Sequence, residues 1–406
     1  MSRSVLAYSG GLDTSVLLKK LIFEGSEVIA MTVDLGESDA VAGSGARAAL
    51  ETVRAKAMSL GAYAAVLVDA RERFISEYAF AALRANALYQ DVYPLSAALS
   101  RPLIAELLVQ TAHEYGATTV AHGCTGKGND QVRIELGVRA LDPSLHCRAP
   151  LRESPLSRPD AIAYAQEHGI PIAHTAEKPY SIDANLWGRS IEAGVLEDPA
   201  QAPPEDAYAW TRSPEAALPL SEEIVLSFDA GEPSLNGARG AAMVAELNRI
   251  AGAHGVGRID LIEDRVVGLK SREIYECPAA LVLIAAHRAL ERLVLTRDEL
   301  RFKALADRRY AELIYDGLWM QPLRTALDAF NASFAPRMNG EVRMRLYRGN
   351  ATVTGLHSPC GLYRERLATY GTQDEFDHQA AGGFIALQAL PLEAFATAAA
   401  RERVAS

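Results

Sequence analysis

Lysine is scarce in this chain: 7 stand against 34 arginines in 406 residues. With abundant alanine, that ratio has its plain explanation in a biased genome, and it singles out the few lysines that remain, Lys127 and Lys270 among them. Cysteine is scarcer still. Cys124, Cys147, Cys277 and Cys360 form no C-x-x-C pair, which excludes a zinc or disulfide framework and points to reduced thiols in the cytoplasm. Long apolar runs are missing too; residues 279–286 are far too few to span a bilayer, so no membrane partner is expected. No basic-then-apolar leader opens the chain. Nor is there a surplus of positive charge: the net charge of -10 argues against nucleic acid, whose phosphates need a concentrated basic face. A local anion site survives that argument, because helix termini and a few arginines suffice for it.

What is present is a globular composition, 49% hydrophobic and 23% charged, in a chain long enough for two domains. Its organising stretch is the first strand and the glycine turn that ends it. Val5-Leu6-Ala7-Tyr8 is a short buried strand, and Ser9-Gly10-Gly11-Leu12-Asp13-Thr14-Ser15 turns into a helix over 16–23. Adjacent glycines reach backbone angles closed to other residues, and Thr14 or Ser15 is placed to cap the helix. Outward N–H groups at the positive helix end make this a phosphate cradle; an ordinary tight βα turn is the alternative, against which the Ser, Thr and Asp beside the glycines argue. It is neither G-x-G-x-x-G nor a Walker loop, since the third glycine and the Lys are absent.

Apolar runs at 27–34, 64–69 and 118–121 alternate with helical patterns at 43–60, 74–88 and 101–115, the last opened by Arg101-Pro102. That alternation predicts a parallel sheet covered on both faces, α/β and Rossmann-like. Beyond a crossing point at 170–172 the pattern changes. Residues 177–185 are polar and aromatic without a period, and 197–220 read as loop. A half-exposed strand at 223–228, an apolar–charged alternation over 257–270, a hairpin-like pair at 341–347 and 350–355, and helices at 241–252, 278–293 and 297–334, the last broken at Gly317 and Pro322, describe an α+β second domain. The tail from Gln379 is Ala-rich, helical and broken at Pro391. The domain expectation is therefore 1–169, nucleotide binding; 170–370, synthetase; and 371–406, a helical oligomerisation tail.

The most informative later stretch is His122-Gly123-Cys124-Thr125-Gly126-Lys127-Gly128-Asn129-Asp130, followed by a helix over 131–141. Three glycines let backbone approach a ligand, and Thr125, Asn129 and Asp130 offer a hydroxyl, an amide and a carboxylate. Arg133 lies three positions after Asp130, on the same helix face. A carboxylate for an ammonium and a guanidinium for a carboxylate is how a site holds an amino acid; a turn-capping cluster with a surface ion pair is the alternative. Both glycine-rich turns lie at the carboxyl ends of strands, where open α/β sheets bind ligands.

The first loop resembles the SGGxDS loop of the N-type ATP pyrophosphatases. Together with 122–133, Pro179-Tyr180-Ser181-Ile182-Asp183-Ala184-Asn185, Glu197-Asp198-Pro199, Gly257-Arg258-Ile259-Asp260, Glu263-Asp264-Arg265 and Lys270-Ser271-Arg272, it is similar to the argininosuccinate synthases over nearly the whole chain. That resemblance implies ATP, L-citrulline and L-aspartate as substrates, a citrullyl-AMP intermediate, Mg²⁺ as cofactor and a homotetramer. It implies that Ala7, Tyr8, Ser9, Gly10, Gly11, Leu12, Asp13, Thr14 and Ser15 surround ATP, with Val33, His122 and Gly123 beside it. Thr125, Asn129 and Asp130 would receive aspartate. Tyr89, Asn129, Arg133, Ser181, Ser190, Glu263 and Tyr275 would meet citrulline. Asp13, Asn129, Asp130 and Arg133 are the catalytic candidates, with Asp13 either near Mg²⁺ or a buried N-cap. Two departures stand out: Ser96-Ala97-Ala98 where relatives carry Gly-Thr-Ser, and Leu35-Gly36-Glu37 where a Gly-Gln pair is usual. The rivals are another N-type ATP pyrophosphatase, such as a tRNA-modifying enzyme or an amidotransferase synthetase, and a silent nucleotide-binding scaffold. The first would show basic faces, cysteine pairs or a glutaminase domain.

Overall fold

The computed structural model describes residues 2–37, 46–171 and 180–405. Parts of the helix expected over 43–60 and of the segments 170–172 and 177–185 lie outside the described residues. Two compact units emerge, 1–360 and 361–406.

In the first unit, β1 (Ser2–Ala7), β2 (Ser26–Asp34), β3 (Ala64–Asp69), β4 (Thr119–Ala121) and β5 (His146–Arg148) form one sheet, ordered β3-β2-β1-β4-β5 and parallel throughout. Burial on both faces explains the near-continuous apolar strands. Leu6, Val28 and Ala30 pack with Leu17, Leu18 and Leu21 of the Leu12–Phe23 helix, whereas Val5, Ile29 and Met31 join Leu99 and Leu103 of the Ser96–Tyr115 helix. The chain runs outward from β1 to β3 and then returns to β4 on the other side of β1. The crevice between the carboxyl ends of β1 and β4 is thus a topological switch point, where such sheets bind ligands.

The remaining strands are β6 (Ser181–Asn185), β7 (Gly188–Glu192), β8 (Glu222–Asp229), β9 (Glu232–Leu235), β10 (Arg258–Asp264), β11 (Lys270–Glu276), β12 (Gly340–Tyr347) and β13 (Asn350–His357). They build two antiparallel sheets, β10-β11-β7-β6 and β13-β12-β8-β9. The β6–β7 hairpin is tied to the carboxyl edge of the first sheet: Leu186 N–H donates to the Leu35 carbonyl at 3.0 Å, and Trp187 Nε1 to that of Pro94 at 2.9 Å.

Several expectations are corrected. The helix expected to open at Arg101-Pro102 begins at Ser96, behind a left-handed Leu95, and closes at Gly116. Pro102 sits inside it, and buried Ala98, Leu99 and Leu103 on either side of the proline hold the helix through the missing N–H. The pattern over 74–88 ends at Arg84, after a π-helical turn over Phe74–Ala79, because Asn86 is left-handed. Strands β5, β6 and β7 arise in stretches without a clear period; they are short, and the partner strand decides them.

The second unit carries the helix His378–Ala405, which runs continuously through Pro391 rather than breaking there. Its stretch His378–Arg401 is long and apolar enough to cross a membrane by length and composition. Phe384, Ile385, Leu387, Leu390, Leu392 and Phe395 are exposed on it.

Candidate active site

The Leu12–Phe23 helix starts on Gly11, and no side chain caps it; neither Thr14 nor Ser15 takes the capping role expected of it. Its first-turn N–H groups are therefore open to a ligand. Ser15 is buried instead and bonds the buried Tyr8 hydroxyl at 3.1 Å, while Ser9 Oγ meets Thr14 Oγ1 at 3.1 Å across the turn. Gly10 has φ +78°, and a Cβ there would lie 2.8 Å from Val53 Cγ1. Asp13 is exposed on the first turn, which excludes the buried N-cap reading. Val33 is half-buried at the carboxyl end of β2.

The second loop lies against the first. A Cβ on Gly123 would come within 3.2 Å of Thr14 Cγ2, so the two turns at the ends of β1 and β4 share one crevice. His122 is buried beneath: its Nδ1 accepts from the Cys124 N–H at 3.3 Å, which leaves Nε2–H to donate to Glu135 at 3.3 Å. Burial pushes the Cys124 thiol up to about 12, so it is no nucleophile. Thr125 is exposed at the turn, its carbonyl accepting from Gly128 N–H at 3.3 Å.

Asn129, Asp130 and Arg133 converge with Ser181, Ser190, Glu263 and Tyr275 on one cavity of about 160 Å³, closed by Tyr93, Ala97, Gly128, Asp183, Glu192, Arg265 and Glu273. Residues more than a hundred positions apart meet there because β6, β7, β10 and β11 stand over the β4 loop. Tyr89 does not line it. It stacks on Tyr315 with ring centres 3.5 Å apart and bonds the Asp264 carbonyl at 2.8 Å, walling the site from behind. Asn129 spends its amide on protein, donating to Tyr315 Oη at 3.0 Å and accepting from Val266 N–H at 2.9 Å.

Charge in the cavity is paired and yet incomplete. Asp130 accepts from Arg101 Nη2 at 2.8 Å and from Arg133 Nη1 at 3.0 Å, and Arg101 Nη2 also reaches Asp183. Burial alone would raise the Asp130 carboxyl, but the two guanidiniums outweigh it and hold it below the ordinary range. Asp183 goes the other way, raised by burial and by its neighbour Asp130. Glu273 is pushed up to about 9 by burial and by the Glu192 and Glu263 charges. Glu263 is raised by burial although Tyr275 and Tyr315 both donate to it, the latter at 2.6 Å. Against these, Arg101 Nε and Arg133 Nη2 are buried with no hydrogen-bond partner among the described residues. Buried donors left unmet are costly in a finished fold. Of the two residues Arg133 lines the polar cavity, where a zwitterion's carboxylate would meet it, while Arg101 stands behind Asp130 and Asp183.

Arg101, Asp183, Arg265, Glu192, Glu273, Tyr93 and Tyr315 were not singled out from sequence. Arg101 was legible only as a helix start. Ala97, within the departure from the usual Gly-Thr-Ser, lines the cavity, but its N–H already donates to Tyr93 Oη at 3.0 Å.

A parallel sheet with an uncapped glycine turn at its switch point, and an amino-acid-sized charged cavity beside that turn, define a nucleotide-binding α/β protein of the ATP-pyrophosphatase class. Family models bear this out: residues 3–171 match the Arginosuccinate synthase N-terminal HUP domain, and 180–395 the Arginosuccinate synthase C-terminal domain. The chain is 53% identical over 390 residues to the argininosuccinate synthase of Geobacillus thermodenitrificans, covering 95% of this chain and 94% of that one. It is 51% identical over 396 residues to that of Rubrobacter xylanophilus (97% and 95%) and 52% over 397 to that of Gloeobacter violaceus (97% and 98%). This chain belongs to the argininosuccinate synthase family.

Proposed function

We infer that the chain joins L-citrulline to L-aspartate at the expense of ATP. The citrulline ureido oxygen attacks the α-phosphorus and pyrophosphate leaves, giving citrullyl-AMP. The aspartate amine, having lost a proton, then attacks the ureido carbon; AMP leaves and argininosuccinate remains. Beyond family membership, the observation that carries this reading is the unmet Arg133 donor in a carboxylate-lined cavity, bordered by the same β4 loop whose Gly123 lies against the phosphate turn.

In this reading the Gly10-Gly11 turn and the helix end hold the β and γ phosphates, and Arg133 with Ser181, Ser190, Glu263 and Tyr275 orients citrulline. Asp130 and Thr125 hold the aspartate zwitterion, while Asn129, already bonded to both Tyr315 and Val266, fixes the wall between the two amino acids. No covalent nucleophile is needed; positioning and charge stabilisation carry the rate. Mg²⁺ would neutralise charge on the polyphosphate. It is commonly held by one or two carboxylates together with phosphates, and Asp13, exposed beside the turn, fits that role.

Incubation with ATP, Mg²⁺, citrulline and aspartate should yield AMP, pyrophosphate and argininosuccinate; ADP and orthophosphate would overturn the reading. Another ATP pyrophosphatase chemistry would form AMP without needing citrulline. We assign residues 1–169 to ATP, 170–370 to the amino acids and 371–406 to assembly of a homotetramer in the cytoplasm, with neither nucleic acid nor membrane as partner. The exposed apolar side chains of the tail helix are suited to another subunit. Truncation before Gln379 is expected to reduce the mass seen by light scattering, and an unchanged mass would refute that role.

A further inference from the structure

Behind the phosphate turn, the helix Ala46–Ser59 sends one side chain to the loop backbone. Lys56 Nζ donates to the Gly10 carbonyl at 2.8 Å, and Ser15 Oγ approaches the same oxygen at 3.5 Å. Gly10 is left-handed and lies against Val53 of the same helix, so no side chain can stand there to stiffen the turn. A peptide between two glycines rotates at little steric cost. In a planar trans peptide the carbonyl and the next N–H point in opposite directions. A carbonyl held toward Lys56 therefore turns the Gly11 N–H the other way, onto the outer side of the loop, where among the described residues it meets only Ser9 Oγ, at 3.4 Å. The flipped peptide would aim an oxygen at the phosphates instead.

We propose that Lys56 is a positioning residue for the first half of the reaction: its ammonium pins the Gly10 carbonyl and so keeps the Gly11 N–H directed at the ATP phosphates. Lys56 is half-buried and has no carboxylate partner among the described residues, so its bond to the loop is not shared with an ion pair. Lysine suits the place as a compact point donor to a single carbonyl, whereas a planar guanidinium presents its donors in a wider fork. This assignment rests on the turn being the phosphate site, as proposed above.

The test compares Lys56→Met, Lys56→Gln and Lys56→Arg in the full-length enzyme, by equilibrium ATP binding and by KM for each substrate, with Tm as the control for folding. Lys56→Met should raise both the ATP Kd and the ATP KM about tenfold, the weight of one charge-assisted hydrogen bond. The citrulline and aspartate KM values should stay within about twofold. Lys56→Gln, an uncharged donor, should recover most of the ATP loss. Unchanged ATP binding in Lys56→Met would overturn the proposal, as would a Gln variant no better than Met or a loss spread equally over all three substrates. Should the Met variant not fold, the Gln and Arg variants decide the matter: near-wild-type ATP binding with Gln and weaker binding with Arg support pinning, and the reverse order overturns it. Failure of the phosphate-site reading shows separately, as ADP formation by the unaltered enzyme.

Discussion

Two charge clusters in the first unit, one part-buried and one buried, each lie beside a cavity. One is Arg101–Asp130–Arg133–Asp183, bordering the cavity proposed for the amino acids. The other sits between the helices Pro278–Val294 and Arg297–Tyr315, where Lys303 Nζ donates to Asp307 at 2.7 Å, to the Arg84 carbonyl at 2.8 Å and to Glu291 at 3.0 Å. Asn86 completes it, donating to Glu291 at 2.7 Å and to Asp307 at 3.1 Å and meeting His287 Nδ1 at 2.8 Å. The second cavity is the larger, about 320 Å³ against 160 Å³. Volume and burial would thus select the wrong cluster. The difference lies in satisfaction. Lys303 has three donors and at least three acceptors, so its charge is saturated and the unmet atoms near it belong to a neutral amide, Asn331, while the first cluster retains two buried guanidinium N–H groups without partners among the described residues. A saturated ion pair supports a fold; an unsaturated one facing a cavity invites a ligand.

That contrast can be broken by experiment. Arg101→Met strips Asp130 and Asp183 of their shared guanidinium and should lower kcat/KM for aspartate by on the order of a hundredfold, the cost of an unpaired charge reduced by the partial exposure of both carboxylates, with the ATP Kd nearly unchanged. Equal losses for ATP and aspartate in steady-state kinetics would reduce Arg101 to a structural role. Asp130→Ala should spare ATP as well, but because Asp130 also anchors Arg133 it should damage the citrulline KM alongside aspartate. Lys303→Met makes the same kind of cut in the saturated cluster, leaving Glu291 and Asp307 facing each other. It should destabilise by roughly 3–5 kcal/mol and lower Tm, yet leave every KM within about twofold below the transition. A raised KM there would join the two clusters functionally and erase the distinction.

The sequence discloses each cluster unequally, for a physical reason. Gly10-Gly11 and the 122–130 loop were legible because local chemistry, glycine at a strand end, dictates their shape. Asp130 and Arg133 were legible together through helix spacing. Arg101 was not: it faces Asp130 across two helices, and no local pattern encodes that meeting. Lysine scarcity drew attention to Lys127 and Lys270, both exposed, while buried Lys303 holds the saturated cluster and half-buried Lys56 the Gly10 carbonyl. Scarcity gave a useful signal without saying which lysine it favoured. The alternating strands of the second region could be read from period, whereas β5, β6 and β7, at three to five residues, depend on neighbours supplied by distant sequence.

The smallest effect sharpens the comparison most, because it tests whether the saturated cluster is balanced in protons as well as bonds. Burial pushes Asp307 up to about 6 from an ordinary 3.8, against the pull of Lys303. Its native form therefore holds a proton that the unfolded chain has lost, and its contribution to stability falls as pH rises from about 4 to 6. Burial pushes His287 down to about 4 from 6.5, with Lys303, Arg84 and Arg288 adding to the shift and Glu291 opposing it. There the unfolded chain takes the proton first, so stability rises across nearly the same window. The slopes oppose each other at about 1.4 kcal/mol per pKa unit, and the cluster is close to pH-neutral between 4 and 6.5. His287→Gln removes the rising slope alone. Relative to the parent, its Tm should then fall progressively as pH increases through that window, every other carboxylate being common to both proteins. Parallel Tm profiles would show that His287 does not stay neutral in the fold, and the proton balance assigned to this cluster would fail with it.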